Sequence, residues 1–290
     1  MFPQVDTRVP TDVELEVRSH YAEMFPRGDR GFVPRIFGWA IDCFDGRYRD
    51  YQPIDARYHD LEHTLQGTLC MARLLGRWHD NGGSPSLTQQ MVELGLLAIL
   101  LHDTGYLKTR GDTEGTGAKY TLTHVSRSAE FASGLLGEQG YSDGQIRAVQ
   151  HMIRCTGVNV DLNSIPFNSE LERKVGFALG SADLIGQMAA DDYIEKLPIL
   201  YAEFAESARY NNGAPSAAAG FTSADDLMRK TPLFWEKYVI PKLNSDFQGV
   251  YRFLEIPYPG GPNYYVQRIE ANIDRLRRLL ADAAATSAAA

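Results

Sequence analysis

The sequence predicts an all-α fold, and three observations support this prediction. Apolar residues recur at spacings of three and four through most of the 290 residues, which is the period of a helix that buries one face. No segment shows the convincing alternation of apolar and polar residues that a half-buried strand requires. Capping residues, glycine or proline lie between the periodic segments. We therefore expect a single helical domain over residues 1–290.

Ten segments carry this helical period. The first follows Thr11, a predicted N-cap, and ends before Pro26. The sixth opens at Ser142 and closes at Gly157, residue types that begin and end helices. The predicted helices cover residues 11–25, 32–44, 61–80, 86–103, 123–140, 142–157, 169–188, 191–210, 224–243 and 263–285. Of the loops between them, the glycine-rich segment 109–119 is either a mobile lid or a flexible connection.

Charge and composition restrict the function. With 37 acidic residues against 29 lysines and arginines, the formal net charge is −8, which argues against a nucleic-acid polymer as partner because that needs a basic surface. The three cysteines have no CxxC spacing and indicate reduced thiols. Neither a signal peptide nor an apolar run of membrane-spanning length is visible. We therefore expect a cytoplasmic protein without a membrane partner.

The seven histidines are the most informative residues. His20 and His79 lie in polar stretches, where a surface position is the simplest interpretation. The other five histidines lie beside apolar segments. Two aspartates lie in the same segments and make a set of seven with them, and a buried acid is rarely tolerated without a partner. These seven residues are His59, His63, His102, Asp103, His124, His151 and Asp183. Imidazoles and carboxylates that project inward from several helices are typical of metal centres in helical bundles.

Local spacing indicates how these groups could meet. His102 and Asp103 end the apolar segment "LLAILLHD", where a cation would neutralise the acid and occupy the imidazole. Adjacent residues on a helix diverge by about 100°, so both can face one ion only near a helix end, and Gly105 predicts such an end. His59 and His63 are four residues apart in "YHDLEH", which predicts that they share one helical face.

The ordered residues His63, His102-Asp103 and Asp183 resemble the His … His-Asp … Asp signature of HD-domain metal-dependent phosphohydrolases. The resemblance covers roughly residues 58–187. "YHDLEH" is also similar to the Tyr-His-Asn-x-x-His opening of cyclic-nucleotide phosphodiesterases, with Asp60 in place of the asparagine. The resemblance implies a compact multi-helix HD-domain bundle.

The domain organisation follows from this resemblance. An HD core at about residues 58–190 would carry additional helices from residues 1–57 and 191–285, all within one domain.

The same resemblance implies a ligand set. The implied ligands of a first metal are His63, His102, Asp103 and Asp183. Two further histidines between Asp103 and Asp183 resemble those of the two-metal branch of the superfamily, in which Asp103 would bridge to a second metal held by His124 and His151. The expected cofactor is one or two divalent transition metals per chain, with iron, manganese, zinc, nickel and magnesium as candidates.

The implied reaction is phosphate-ester hydrolysis by a hydroxide that bridges the metals, with Asp103 as a catalytic ligand. His59, which neither metal needs, is the candidate general acid for the leaving oxygen, although a surface or supporting position explains it equally well. Four residues near the predicted metal ligands are candidate substrate contacts. The alternative is that the cations among them are solvated surface charges and that the glutamine is a packing amide. The four candidates are Lys108, Arg127, Arg154 and Gln187.

Three functions stay open at this point. The favoured one is a phosphodiesterase or phosphomonoesterase that acts on a nucleotide-like or other small phosphate. Di-iron oxygenases of the HD fold use nearly the same ligands but need redox-active iron. A catalytically silent metal-binding regulatory module would not need to keep all six ligands. The sequence leaves the oligomeric state open, with a homodimer as one alternative.

Overall fold

The protein is a bundle of α-helices, as the sequence predicts. The computed structural model describes residues 2–158, 160–211 and 220–289, and within these ranges the only β-structure is two isolated bridges. The α-helices are α1 (Pro10–Met24), α2 (Phe32–Phe44), α3 (Leu61–Asp80), α4 (Gln89–Leu101), α5 (His124–Glu138), α6 (Asp143–Arg154), α7 (Glu170–Met188), α8 (Tyr193–Tyr210), α9 (Ala224–Phe234) and α10 (Tyr264–Ala289).

Most helix ends follow from local capping. α2 and α3 have the predicted bounds, and Ser142 caps α6 through a capping box. α1 begins at Pro10, one residue before the predicted N-cap Thr11, because proline needs no acceptor and its φ suits the first helical position. The predicted helix 224–243 breaks after α9 into π-helical turns on both sides of Pro241. The missing N–H of this proline removes one helical hydrogen bond.

α3 is the central helix of the bundle. Its residues are buried without interruption from His63 to Gly76, and α1, α4 and α7 pack around it. α3 and α7 approach closely at Gly186, where a Cβ would lie 2.8 Å from the Gln66 carbonyl oxygen. A Cβ on Gly67 would in turn lie 3.7 Å from the Cα of Asp183. The small residues of both helices therefore bring Asp183 close to the first two turns of α3.

One apolar core joins the helices. Buried apolar side chains from all ten form a single cluster. None of the described helices combines the length and apolarity needed to cross a bilayer. The predicted loop at 211–220 falls mostly on residues 212–219, which lie outside the described residues.

The segment 109–119 is fixed to the body of the protein. The backbone N–H of Gly117 donates to Asp55 over 2.7 Å, and the hydroxyl of Thr116 donates to Glu206 over 2.8 Å. These bonds favour a fixed connection over both the mobile lid and the flexible linker.

Candidate metal centre

The end of α4 positions His102 and Asp103. The helix ends at Leu101, His102 is its C-cap, and Asp103 leads into a 3-10 turn over Thr104–Tyr106. His102 and Asp103 can face the same point because the helix ends here, as the sequence predicts. Both side chains are almost fully buried, with 1% of His102 and 2% of Asp103 exposed.

Gly105 permits this end because α5 crosses directly over it. A Cβ at Gly105 would overlap the carbonyl oxygen of His124. We therefore expect Gly105→Ala to reduce the free energy of unfolding by about 2 kcal/mol or more, measured by chemical denaturation. Gly134→Ala is the matched control in α5, where the nearest atom to a new Cβ is 3.9 Å away. It should stabilise the protein by about 0.5–1 kcal/mol, and equal effects of the two changes would contradict the steric argument.

Four side chains from three helical segments converge beside this turn. Asp103 Oδ2 lies 3.2 Å from His63 Nε2 and 3.3 Å from His102 Nε2. Asp183 Oδ1 lies 3.4 Å from the same two nitrogens. His63, His102 and Asp103 each offer a ligand atom within 4.8 Å of the others. We call His63, His102, Asp103 and Asp183 the His–Asp cluster.

The spacing within the His–Asp cluster suits ligands of one cation. Hydrogen bonds from N–H to oxygen are usually about 2.7–3.2 Å long, so three of the four distances are too long for good ones. Two ligands each about 2.1 Å from an ion, at an angle of about 90–109°, are about 3.0–3.4 Å apart. Among the described residues, His102 Nε2 and Asp103 Oδ2 are buried without a hydrogen-bond partner. A bound cation would remove the cost of burying these atoms unpaired.

Backbone carbonyls orient two of the imidazoles. His102 Nδ1 donates to the Ile99 carbonyl over 2.7 Å, and His124 Nδ1 donates to the Thr121 carbonyl over 2.6 Å. Because Nδ1 then carries the proton, the Nε2 lone pair of each ring is available to a metal.

Without a cation, the His–Asp cluster would be held together by its own charges. Burial lowers the pKa of His63, but the carboxylates of Asp103 and Asp183 outweigh it and raise this pKa to about 10. Burial raises the pKa of both carboxyls, and the imidazoles outweigh it and hold these pKa values well below their usual range. At neutral pH both acids are therefore ionised and His63 is protonated.

His124 contacts the opposite oxygen of Asp103. Its Nε2 lies 3.9 Å from Oδ1, whereas Oδ2 faces His63 and His102. Burial lowers the pKa of His124, which favours the neutral form that metals bind. The two oxygens of Asp103 thus face different histidines, and its role as a bridge between two metals stays a prediction.

The recorded contacts of His151 are with other residues than this group. Its Nδ1 lies 2.7 Å from Glu172 Oε1 at the start of α7, and its ring packs against Phe167. Among the described residues, the carboxylate in contact with this imidazole is Glu172, not Asp103. A second metal held by His124 and His151 stays a prediction, since the contact with Glu172 uses only Nδ1 of His151.

His59 lies beside the His–Asp cluster but not on α3. Asp60 is the N-cap of α3, with Oδ1 accepting from the His63 N–H over 2.8 Å, so the predicted shared helical face was wrong. The rings of His59 and His63 are nevertheless only 5.3 Å apart. Nδ1 of His59 lies 2.6 Å from Glu203 Oε2. Tyr106 stacks on this imidazole at 4.4 Å.

The predicted substrate contacts have other partners. Lys108 is buried and pairs with Asp55 over 2.9 Å. Arg127 donates to the Gly105 and Leu107 carbonyls over 2.7 and 2.9 Å. Both cations therefore support the turn after α4, and a contact of either with phosphate stays a prediction.

Arg154 and Gln187 differ from each other. Arg154 is exposed at the end of α6, the helix of His151, and no described contact links it to the His–Asp cluster. Gln187 does reach the cluster, because its Nε2 lies 3.4 Å from Asp183 Oδ1 and also donates to the Asp183 carbonyl over 3.0 Å. Its Oε1 accepts from the Tyr58 hydroxyl over 2.6 Å. Both ends of the Gln187 amide are therefore hydrogen-bonded, and the side chain helps to hold Asp183 in place.

Sequence reasoning missed two supporting residues. Glu203, on α8, is 4% exposed and also accepts from the backbone N–H of Tyr58 over 2.7 Å. Tyr106 stacks on both His59 and His124. The only sequence signal for Glu203 was a glutamate within the predicted helix 191–210. The segment "HDTGY" gave no signal for Tyr106.

Comparison with known proteins identifies the family of the chain. A family model described as Npun_R2479-like matches residues 47–260, which include every residue of the His–Asp cluster and most of the chain. No curated protein matches the sequence.

Proposed function

The chain belongs to the Npun_R2479-like family, and we propose that it hydrolyses phosphate esters as a metal-dependent enzyme of the HD superfamily. The observation that carries this proposal is the convergence of two imidazoles and two carboxylates at 3.2–3.4 Å, beside a histidine paired with a buried glutamate. Phosphoryl transfer needs charge neutralisation and a proton for the leaving oxygen; a cation held by the cluster would supply the first and His59 the second.

His63, His102, Asp103 and Asp183 would hold the first metal. When bound, a divalent cation supplies Lewis-acid polarisation of a phosphoryl oxygen and an activated water as nucleophile. The carboxylates of Asp103 and Asp183 balance the charge of the site. The carbonyl of Ile99 fixes the ring of His102.

His59 would protonate the leaving oxygen. Glu203 accepts a hydrogen bond from its Nδ1, which leaves Nε2 as the position that can give up a proton. Burial raises the pKa of Glu203, but His59 outweighs it and keeps this pKa below its usual value. An ionised Glu203 holds the imidazole in place and stabilises its protonated form, as a carboxylate does for a catalytic histidine.

Metal content and turnover test the proposal directly. Protein purified without chelators should contain at least one transition metal per chain, measured by inductively coupled plasma mass spectrometry. It should also hydrolyse p-nitrophenyl phosphate or bis-p-nitrophenyl phosphate. Two irons without turnover of any phosphate ester would favour the oxygenase, and a chain that takes up no metal after reconstitution would refute both.

Metal binding should release protons. Because His63 carries a raised pKa of about 10, it is protonated at pH 7 in the absence of a cation, and its Nε2 must lose that proton to become a ligand. We expect isothermal titration with Zn²⁺ at pH 7 to show about one proton released, from the dependence of the heat on the ionisation enthalpy of the buffer. The release should decline as the pH rises towards 10. A heat that does not depend on the buffer would contradict His63 as a ligand.

A further inference from the structure

A groove lies between α1 and the turn 25–31 that joins it to α2. A water-sized molecule can enter about 420 Å³ of this space. The wall on α1 consists of Leu15, Arg18, Ser19 and Ala22. We call this space the α1 groove. None of the residues that line it belongs to the His–Asp cluster, so it is a separate candidate site.

α1 has a second face besides the one that packs on the core. Val13, Val17 and Met24 are buried on the first face. The residues at positions 15, 18, 19 and 22 have the spacing of another helical face. Leu15 on that face is 58% exposed. Together with Phe25 in the turn, it gives the groove an apolar surface that a ligand can cover.

The walls of the groove are held in place by the protein itself. The Tyr21 hydroxyl donates to Glu93, and the Tyr21 ring packs against Phe25 with the ring centroids 5.7 Å apart. The backbone N–H of Gly28 donates to the Phe25 carbonyl over 2.8 Å. A Cβ at Gly28 would lie only 2.8 Å from the Tyr21 hydroxyl, so the turn lies close against the helix. A ligand therefore meets a preformed site, which lowers the cost of binding.

The charged side chains that line the α1 groove are both cations. They are Arg18 and Arg30, and within the described part of the chain no carboxylate pairs with either guanidinium. The acids nearest in sequence have other partners, since Glu23 accepts from Ser19 and Asp29 pairs with Arg35.

This part of the chain differs in charge from the rest. Residues 18–35 contain four arginines and two acids and carry a formal charge of +2, whereas the whole chain carries −8. Guanidinium groups bind carboxylates and phosphates through parallel hydrogen bonds. A local cationic site in an acidic protein therefore favours an anionic ligand.

The volume favours a small molecule. Sites for small ligands have volumes of about 300–1,000 Å³, and the α1 groove lies within this range. From volume, apolar surface and charge together, we propose that the α1 groove binds a small amphipathic oxyanion. Its carboxylate or phosphate contacts Arg18 and Arg30, and its apolar body covers Leu15 and Phe25. This site is independent of the proposed hydrolase function.

Ligands of matched length test both parts of the inference. The methyl signals of Leu15 and Ala22 in ¹H–¹³C spectra of chelated protein report on the groove directly. We expect octanoate to shift them and to bind about tenfold more tightly than hexanoate, because each buried methylene contributes about fourfold. Octanol, which lacks the charge, should bind about three- to tenfold more weakly than octanoate, and octylammonium should not shift these signals. Octyl phosphate at the same chain length distinguishes phosphate from carboxylate, and tighter binding of either anion supports the inference.

Removing the two cations tests the charge contact. The double variant Arg18→Gln/Arg30→Gln should weaken octanoate about three- to tenfold and leave octanol unchanged. Arg147→Gln/Arg229→Gln is the matched control, since both arginines are exposed, on α6 and α9, and the loss of charge is the same. It should leave both ligands unchanged.

Filling the groove tests the location. Ala22→Glu places a longer, negative side chain in the groove and should abolish octanoate binding. Ala271→Glu makes the same change at an exposed position of α10 and should have no effect. Thermal unfolding verifies that each variant is folded.

Three results would overturn the inference. The first is equal binding of octanol and octanoate to the wild type. The second is octanoate binding that survives the double arginine variant and Ala22→Glu. The third is a dimer in sedimentation experiments that Ala22→Glu dissociates, because a second copy of the chain would then cover the groove. All of these measurements use chelated protein, so they stand whether or not the protein hydrolyses phosphate esters.

Discussion

Asp103→Asn is expected to remove bound metal and turnover together. Asp103 has the most contacts with the histidines of the proposed site, since Oδ2 lies 3.2 and 3.3 Å from His63 and His102 and Oδ1 lies 3.9 Å from His124. An amide of the same shape carries no charge and binds divalent cations weakly. A metal contributes several kcal/mol to catalysis of this kind, and each 1.4 kcal/mol is about tenfold in rate. We therefore expect kcat/KM to fall by at least about a thousandfold.

The same variant has a readout that needs no metal. Because Asp103 is one of the two carboxylates that raise the pKa of His63 to about 10, its loss should lower that pKa, which an NMR titration of the histidine rings in chelated protein would measure. Asp50→Asn is the control, since Asp50 is exposed and lies 3.8 Å from Arg110. Circular dichroism would verify that each variant keeps its helices. Full metal content and turnover in Asp103→Asn would refute the ligand assignment.

Local signals predicted the parts of this site that depend on a single helix. The end of α4 could be anticipated because His102 and Asp103 follow an apolar run and precede Gly105, which leaves no room for a Cβ beside α5. The bounds of α3 were predicted at the residue level. The position of His59 was not, because Asp60 acts as an N-cap and a spacing of four cannot show whether the first residue precedes the helix.

Contacts between distant segments set the rest of the site. Glu203 reaches His59 from 144 positions away, and one sequence has no pattern that pairs them. Glu172 binds His151, which an evaluation of histidines alone could not foresee. Lys108 and Arg127 have the charge that a phosphate needs, but Lys108 is bound to Asp55 and Arg127 to nearby backbone carbonyls. The residue types therefore predicted which side chains could bind a metal or a phosphate, whereas tertiary packing determined which partners each side chain has.

His59→Gln should have an effect that depends on the leaving group. If the His59 imidazole donates a proton to the departing oxygen, its loss should reduce kcat/KM for an alkyl phosphate by about 10²–10⁴-fold, because an alkoxide cannot leave without that proton. A p-nitrophenolate is a stable anion, so p-nitrophenyl phosphate should lose little. Kinetic assays of both substrates with the same protein sample measure this difference.

Glu203→Gln and His79→Gln complete the comparison. Glu203→Gln keeps the hydrogen-bond acceptor of His59 Nδ1 but removes the charge that stabilises the imidazolium, so it should show the same dependence on the leaving group with a smaller loss. His79 pairs with Asp80 over 3.7 Å, in the last turn of α3 and away from the His–Asp cluster, and His79→Gln should affect neither substrate. Equal losses for both substrates in His59→Gln would mean that His59 supports the metal site or the fold. Because His59 binds Glu203 and stacks on Tyr106, only a loss confined to poor leaving groups identifies it as the proton donor.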